Sequence, residues 1–432
     1  MLKELKCHIE SKFPELFKEK VFLAISGGKD SVALCHLLMK IGIQPELLHC
    51  NFQLRGTESD EDELFVRQLS AQLKLVIHVK TFDMNLERKS SGLNIQILAR
   101  QLRYNWFQKF IENEPNCKIL TAHHALDNVE TILLNLSRGT GINGLTGIPE
   151  QNKNFIRPLI PFSQNDILTF IRNEKIQFRD DSSNFEKKYA RNKIRHDVLP
   201  VLRDIGDQLE HKFSKTIHEL KSVNDWISAE VEKYMLNNVK KSRDKFHFKL
   251  NSLNEVHSFF LFKIFEPFQI NRKKYNEFVK FLSSKTGSLF LSQDYEFLID
   301  REELIIRNKV HFDYSNQTIK TLPFKFGRYE LKSLRNSELD EHNYDFIISE
   351  NELVFPLILR KPEKGERIKL RNQPNKLISD ILVNKKINRF DKEEAVILED
   401  GNKRALALLP IQVCDATSAN SKSEKIIAIS VY

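Results

Sequence analysis

Near its N-terminus the chain reads Val21-Phe22-Leu23-Ala24-Ile25-Ser26-Gly27-Gly28-Lys29-Asp30-Ser31. Five apolar residues in a row predict a strand buried on both faces, as strands of parallel sheets are. After the turn, Val32, Ala33, Leu34, Leu37, Leu38 and Ile41 recur at helical spacing. A glycine-rich turn therefore leads from a strand into a helix N-terminus. Free backbone N–H groups and the helix dipole favour an anion at such a place. The two glycines remove side-chain obstruction to a phosphate. Ser26 and Ser31 are candidate donors, and Lys29 and Asp30 flank the expected phosphate. Asp30 beside a polyphosphate calls for a cation between them, so Mg²⁺ is expected on Asp30. The G-x-x-x-x-G-K-[ST] and G-x-G-x-x-G spacings are both missing.

This turn resembles the PP-loop of ATP pyrophosphatases. Around it, residues 1–205 alternate strand-like segments (21–25, 46–50, 75–79, 118–122) with helix-like ones (32–42, 60–73, 95–112, 126–137, 164–173). Such alternation predicts an α/β domain, a parallel sheet covered by helices on both faces. Ser26–Ser31, Asn51–Arg55 and His123–Thr131 each follow a strand end. Ligands in these sheets bind beyond the carboxyl ends of strands, so the three are expected to meet in one cleft.

Beyond Pro200 the pattern changes. Residues 206–310 predict a mainly helical domain, rich in Phe, with strand-like pieces near 288–307. The polar stretch Val310–Thr321 reads as a linker, and 350–432 as a small mixed α/β domain. The 432 residues carry a net charge of +9. Between Leu359 and Arg389 ten Lys/Arg, among them Arg360, Arg367, Lys385 and Lys386, face only three acids, a local +7. A segment this basic fits a phosphate-contacting surface as well as it fits a solvated face. Five scattered cysteines form no CxxC pair, which suits free thiols in a reducing compartment. No apolar run reaches membrane-spanning length, and Met1–His8 lacks a secretory signal's apolar region. Cytoplasm is the expected location, with no membrane partner.

Thr121-Ala122-His123-His124-Ala125-Leu126-Asp127-Asn128-Val129-Glu130-Thr131 places Asp127, Glu130 and Thr131 on one helix face. Two carboxylates there suit Mg²⁺ or an ammonium substrate; acids complementing a helix dipole are the competing reading. The adjacent His123 and His124 are not explained by the dipole. Arg138-Gly139-Thr140-Gly141-Ile142-Asn143-Gly144-Leu145-Thr146-Gly147 reads as a close-approach loop, with Arg138 and Gly139 as nucleotide contacts. Arg100 and Arg103 lie at i, i+3 on a helix whose apolar side is Ile97, Leu98, Leu102, Trp106 and Phe107. Arg191 and Arg195 lie at i, i+4. Paired guanidinium forks suit bidentate phosphate contact, and surface ion pairing is the alternative.

Taken together these segments resemble the tRNA(Ile)-lysidine synthetase family of PP-loop enzymes. The likeness extends through Leu54-Arg55, Arg157-Pro158-Leu159, Asp181-Ser182-Ser183-Asn184, Tyr189, Arg191-Asn192, Ile194-Arg195, Leu199-Pro200 and Gly365-Glu366-Arg367. Leu126 stands where the family usually has an acid, and Asn51-Phe52 replaces its Asn-His. The resemblance implies ATP and Mg²⁺, L-lysine and tRNA(Ile) with a CAU anticodon as partners, with a homodimer as an option. It also implies a two-step ligation. The wobble cytidine is adenylated at its C2 oxygen, and the lysine ε-amine then displaces AMP to give lysidine. Asp30, Asp127 and Glu130 are the catalytic candidates. Ser26–Ser31, His123, Arg138 and Gly139 are the nucleotide-binding ones, and Arg100, Arg103, Arg191, Arg195, Arg360, Arg367, Lys385 and Lys386 the tRNA-binding ones. An anticodon thiolase on the same loop and a non-catalytic tRNA-binding protein are the alternatives. The former needs reactive cysteines, and only Cys50 falls near the expected cleft. Small-molecule amide-forming ligases with this loop need no basic C-terminal domain.

Overall fold

The computed structural model describes the chain except residues 55, 180–189, 243, 310–315, 336, 338–343, 351–352, 371–373, 415–423 and 432, and the side chains of 85 and 89–91. Arg55, Asp181–Asn184, Tyr189 and Arg371 thus lie outside the described residues. The chain divides into two compact units, Met1–Trp226 and Ile227–Tyr432.

The first unit runs α1 (Leu2–Lys12), β1 (Val21–Ala24), α2 (Lys29–Lys40), β2 (Glu46–Asn51), α3 (Thr57–Leu73), β3 (Ile77–Thr81), α4 (Met84–Ser91), α5 (Ile95–Asn113), β4 (Lys118–Leu120) and α6 (Ala125–Ser137). It continues through α7 (Ile142–Leu145), β5 (Gln151–Asn152), β6 (Phe155–Ile156), α8 (Gln164–Glu174), α9 (Ala190–Lys193) and α10 (Leu199–Ile205) into α11 (Leu209–Asn238). The sheet order is β3-β2-β1-β4-β6-β5. β1 pairs in parallel with β2 and with β4, so that Leu23 lies opposite both Leu47 and Leu120. The chain steps outward from β1 to β3, then returns to the far side of β1 for β4. The order reverses at the carboxyl ends of β1 and β4, where open parallel sheets bind ligands.

Strand alternation divides the core between the two faces. Val21 and Leu23 pack with Val32, Leu34, Leu37 and Val66 on one side. Phe22, Leu48 and Ile119 pack with Phe107 of α5 on the other. The expected apolar side of α5 holds for Leu98 and Phe107, but Ile97 is exposed. In the loop after α6, Gly147 has φ +73°, and the Asn128 amide stands where its Cβ would be. Thr140 does the same to Gly144. Asn128 Oδ1 accepts the Ile148 N–H. These two glycines serve to seat the loop on α6.

In the second unit the Phe-rich stretch forms helices Leu250–Asn254, Ser258–Phe265 and Arg272–Leu282. Phe248, Phe265, Phe268, Phe278, Phe281 and Phe297 share their core with a five-stranded antiparallel sheet. That sheet includes the hairpin Val239–Ser242 and Lys245–Lys249, which lies ahead of the strands expected near 288–307. The last part of the chain builds sheets of five and four strands with two short helices, Ile378–Asn384 and Arg389–Glu394. Its first strand is Gln317–Ile319, inside the stretch read as a linker, and it pairs with Leu357–Arg360. Tyr329–Arg335 pairs along its length with Lys425–Val431. The sheets therefore reach back well before residue 350. The reason is that Ile319, Tyr329 and Leu331 are buried, which outweighs the polar residues between them.

Candidate active site

The turn after β1 is shaped by its own side chains. Gly27 has φ +92°, a conformation only glycine adopts without strain. Gly28 has an ordinary extended backbone and caps α2. Ser31 Oγ donates to the Gly28 carbonyl at 2.9 Å and accepts the Ser26 N–H at 3.2 Å. Ser26 Oγ accepts the Gly28 N–H at 3.3 Å. The two serines thus first hold the loop. Arg179 completes it: its N–H donates to the Gly27 carbonyl at 3.0 Å, and its guanidinium pairs with Asp62 and Glu61 of α3. Nothing in the local sequence singles out Arg179, because its partners lie over a hundred residues earlier.

Above the turn opens a cavity of about 550 Å³. Ser26, Gly28, Lys29, Asp30 and Ser31 line one wall, and Thr121 and His123 the wall after β4. Arg100, Arg103 and Tyr104 of α5, together with Arg179 and Arg195, add cationic groups. The Arg100 guanidinium lies over the Tyr104 ring at 4.8 Å, and that of Arg103 over Phe52 at 5.5 Å. Two of the three expected segments converge here. Asn51 instead turns its amide to Asp60 and Glu63 of α3.

Arg138 and Gly139 do not reach this cavity. They sit at the C-terminal end of α6, Arg138 fourteen residues or about 21 Å along the helix from His124. His123, just before α6, lines the cavity.

Asp30 Oδ1 is buried without a hydrogen-bond partner. Its other oxygen lies 3.7 Å from His124 Nε2, which is also 3.7 Å from Asp127 Oδ2. His124 caps α6: its Nδ1 accepts the Leu126 N–H, while Asp127 accepts the His124 N–H at 2.9 Å. Burial opposes a charge on His124, but Asp30, Asp127 and Glu130 outweigh it and raise its pKa. Burial likewise pushes the Asp127 carboxyl up. The positive charges of His124 and Arg191, with the His124 N–H bond, prevail and hold it below the usual carboxylate range. His123, with Nδ1 2.9 Å from Thr121 Oγ1, is pushed down to about 4 by burial.

That shift gives an acid-stability prediction. The unfolded chain binds a proton at His123 near pH 6.5, whereas the folded chain resists one down to about pH 4. Stability should therefore fall as pH drops through this window, by about 2 kcal/mol at pH 5 from this residue. Comparing thermal unfolding of the wild type and His123→Asn at pH 7.5 and pH 5 checks it. The wild type should lose more stability on acidification than the variant.

Glu130 is fully buried. Arg191 Nε donates to its Oε2 at 2.6 Å, and Arg195 Nε to its Oε1 at 2.6 Å. A second Arg191 nitrogen donates to Asp127 Oδ1 at 2.7 Å. The two arginines expected to face tRNA phosphates are thus held by the two carboxylates expected to face an ammonium. Arg195 still lines the cavity; Arg191 does not.

Residues 1–202 match the model of the PP-loop domain, and 241–309 that of the TilS substrate binding domain. A tRNA(Ile)-lysidine synthase from Bacteroides thetaiotaomicron is 31% identical over 92% of both chains. The chain belongs to the tRNA(Ile)-lysidine synthase family. The Bacillus subtilis tRNA(Ile)-lysidine synthase is 26% identical over 88% of this chain and 87% of its own. Among solved structures, the U34-tRNA thiolase NcsA from Methanococcus maripaludis, with its [4Fe-4S] cluster, overlaps 51% of this chain and 79% of that one, at a TM-score of 0.43 and 15% identity. Among the described residues no helix is long and apolar enough to cross a membrane.

Of the basic residues expected to face tRNA in the last part of the chain, Arg360 is spoken for. It forks onto Glu366 and bonds Glu399, with its side chain largely buried. Arg367 donates to the Asn375 carbonyl from an exposed position, and Lys385 bonds Gln412 at the surface. Lys386 is exposed, with a left-handed φ of +55° and its carbonyl held by Arg301.

Proposed function

We propose that this chain ligates L-lysine to C2 of the wobble cytidine of tRNA(Ile) with a CAU anticodon. ATP is split to AMP and pyrophosphate by way of an adenylated cytidine. The observation that carries the reading is the orphaned Asp30 oxygen at an anion-receptive helix N-terminus, one histidine away from the ionised Asp127. The α2 N–H groups receive ATP's pyrophosphate end, and Lys29, Arg100, Arg103 and Arg195 offset its charge. Placement in this walled cavity, together with fixed charge, lowers the barrier to attack at the α-phosphorus. Asp30 fits Mg²⁺: a buried, unpartnered carboxylate oxygen beside a phosphate site is a hard-cation ligand. Bound there, Mg²⁺ would neutralise developing phosphate charge.

Asp127 takes the ε-ammonium. Because its pKa is depressed, it orients lysine rather than removing the proton; a good base would have its pKa near the working pH. Glu130 acts through the arginines it holds. The thiolase alternative meets an obstacle at Cys50, which lines the cavity but whose thiol is pushed up to about 12 by burial. A thiol so protonated is a poor nucleophile.

The test is AMP release by the purified chain. Release that requires both L-lysine and a CAU-anticodon tRNA(Ile) transcript supports the reading. Release without lysine, or none under any combination, sinks it.

In the second unit, tRNA docking rests on Lys385 and Lys386 rather than on Arg360. Reversing both lysines should weaken tRNA binding and flatten the salt dependence by about 1.4 in the log–log slope. Arg360→Gln should leave that slope alone and lower stability instead. Filter binding across a salt series checks both.

A further inference from the structure

Arg191 occupies the place that the proposed reading gives to the substrate. Its guanidinium bridges Asp127 Oδ1 at 2.7 Å and Glu130 Oε2 at 2.6 Å, the acceptor pair on one face of α6. Asp127's other oxygen is taken by the His124 N–H. An incoming ammonium therefore finds Oδ1 filled by an internal cation. Arg195 differs: it holds Glu130 through two of its nitrogens and also lines the cavity. It can keep Glu130 neutralised by itself, so Arg191 is free to leave without stranding a buried charge. The Arg191 side chain is 40% exposed, and it stands on a four-residue helical turn. A long, exposed guanidinium is also the side chain best suited to bidentate phosphate contact.

We infer that Arg191 exchanges partners. Without tRNA it plugs the ammonium subsite; when tRNA docks, a backbone phosphate draws it off Asp127 and opens the subsite to lysine. Arg191 is then the residue that makes lysine entry conditional on tRNA. It prevents the amine from being held beside ATP with no acceptor base present. The inference rests on the reading that Asp127 binds the ammonium. A site with one internal competitor and one external ligand couples the two in the way linkage requires: tRNA raises lysine affinity, and lysine raises tRNA affinity by the same factor.

The experiment is equilibrium dialysis of radiolabelled L-lysine against the full chain and a non-hydrolysable ATP analogue, with and without the CAU-anticodon tRNA(Ile) transcript. In the wild type, tRNA should tighten lysine binding by about tenfold or more. In Arg191→Gln, lysine should bind without tRNA as tightly as the wild type binds it with tRNA, and the ratio should fall to within about twofold of unity. Arg191→Lys, which keeps a cation, should retain part of the ratio and guards against a general folding defect. An unchanged ratio in Arg191→Gln, or weaker lysine binding in both arms, overturns the exchange. Asp127→Asn separates this from failure of the underlying reading. It should abolish lysine binding in both arms; if it binds lysine normally, the ammonium site itself is misplaced.

Discussion

Asp30→Asn should reduce ATP turnover by at least about 10²–10³-fold, the usual loss when one preorganised charge-stabilising group is removed. It should leave the fold intact. Asp30 Oδ1 has no hydrogen-bond partner among the described residues, and its other oxygen lies 3.7 Å from His124. At the first turn of α2 the carboxylate gains about 0.3–1 kcal/mol from the dipole, so Tm should move by no more than a few degrees. The substitution is nearly isosteric, which keeps the turn's serine hydrogen bonds in place. A second readout needs no nucleotide. Asp30 is one of the carboxylates that raise the His124 pKa, so the variant should shift His124 downward in an NMR titration. Near-normal AMP release, with His124 shifted, would show that the Asp30 charge is structural and that the metal reading is mistaken.

The strand–turn–helix around Gly27 was legible because the side-chain contacts within the turn are local; only the Arg179 brace comes from far along the chain. Ser26, Gly28 and Ser31 bond one another within five residues. The parallel sheet was legible because β1 is a continuous apolar run and short apolar stretches alternate with helical periodicity around it. What the sequence hides are partners far apart along the chain. Glu130 meets Arg191 and Arg195 across 61 and 65 residues. The i, i+4 spacing of the arginines therefore suggested a phosphate fork when it also marks two hands on one buried carboxylate. Arg360 misled in the same way, since Glu399 reaches it through strand pairing. The glycines after Arg138 also have a packing reason. Gly144 and Gly147 are there to admit Thr140 and Asn128, a packing requirement that looks in sequence like a ligand loop.

Glu130→Gln should be the most destabilising single change in the first unit's site. It removes the shared acceptor of two guanidinium groups; Arg191 keeps Asp127, while Arg195, with its side chain 29% exposed, loses the carboxylate held by its Nε. Breaking a buried pair by removing one partner costs about 3–5 kcal/mol, mostly the desolvation of the charge left behind. For a unit of this size that is a fall in Tm of about 10 °C. Turnover should fall too, because Arg195 loses the bond that aims it into the cavity. The two effects separate in the triple change Glu130→Leu, Arg191→Met, Arg195→Met. A well-packed apolar replacement of an ion-pair cluster is commonly neutral or stabilising, so at least half of the lost stability should return. Turnover should not return, since no cation then stands at position 195. Thermal unfolding and AMP release on the same two proteins decide it. A Glu130→Gln variant that melts within about 2 °C of the wild type would mean that solvent reaches the cluster, and that Glu130 faces substrate rather than anchoring the arginines.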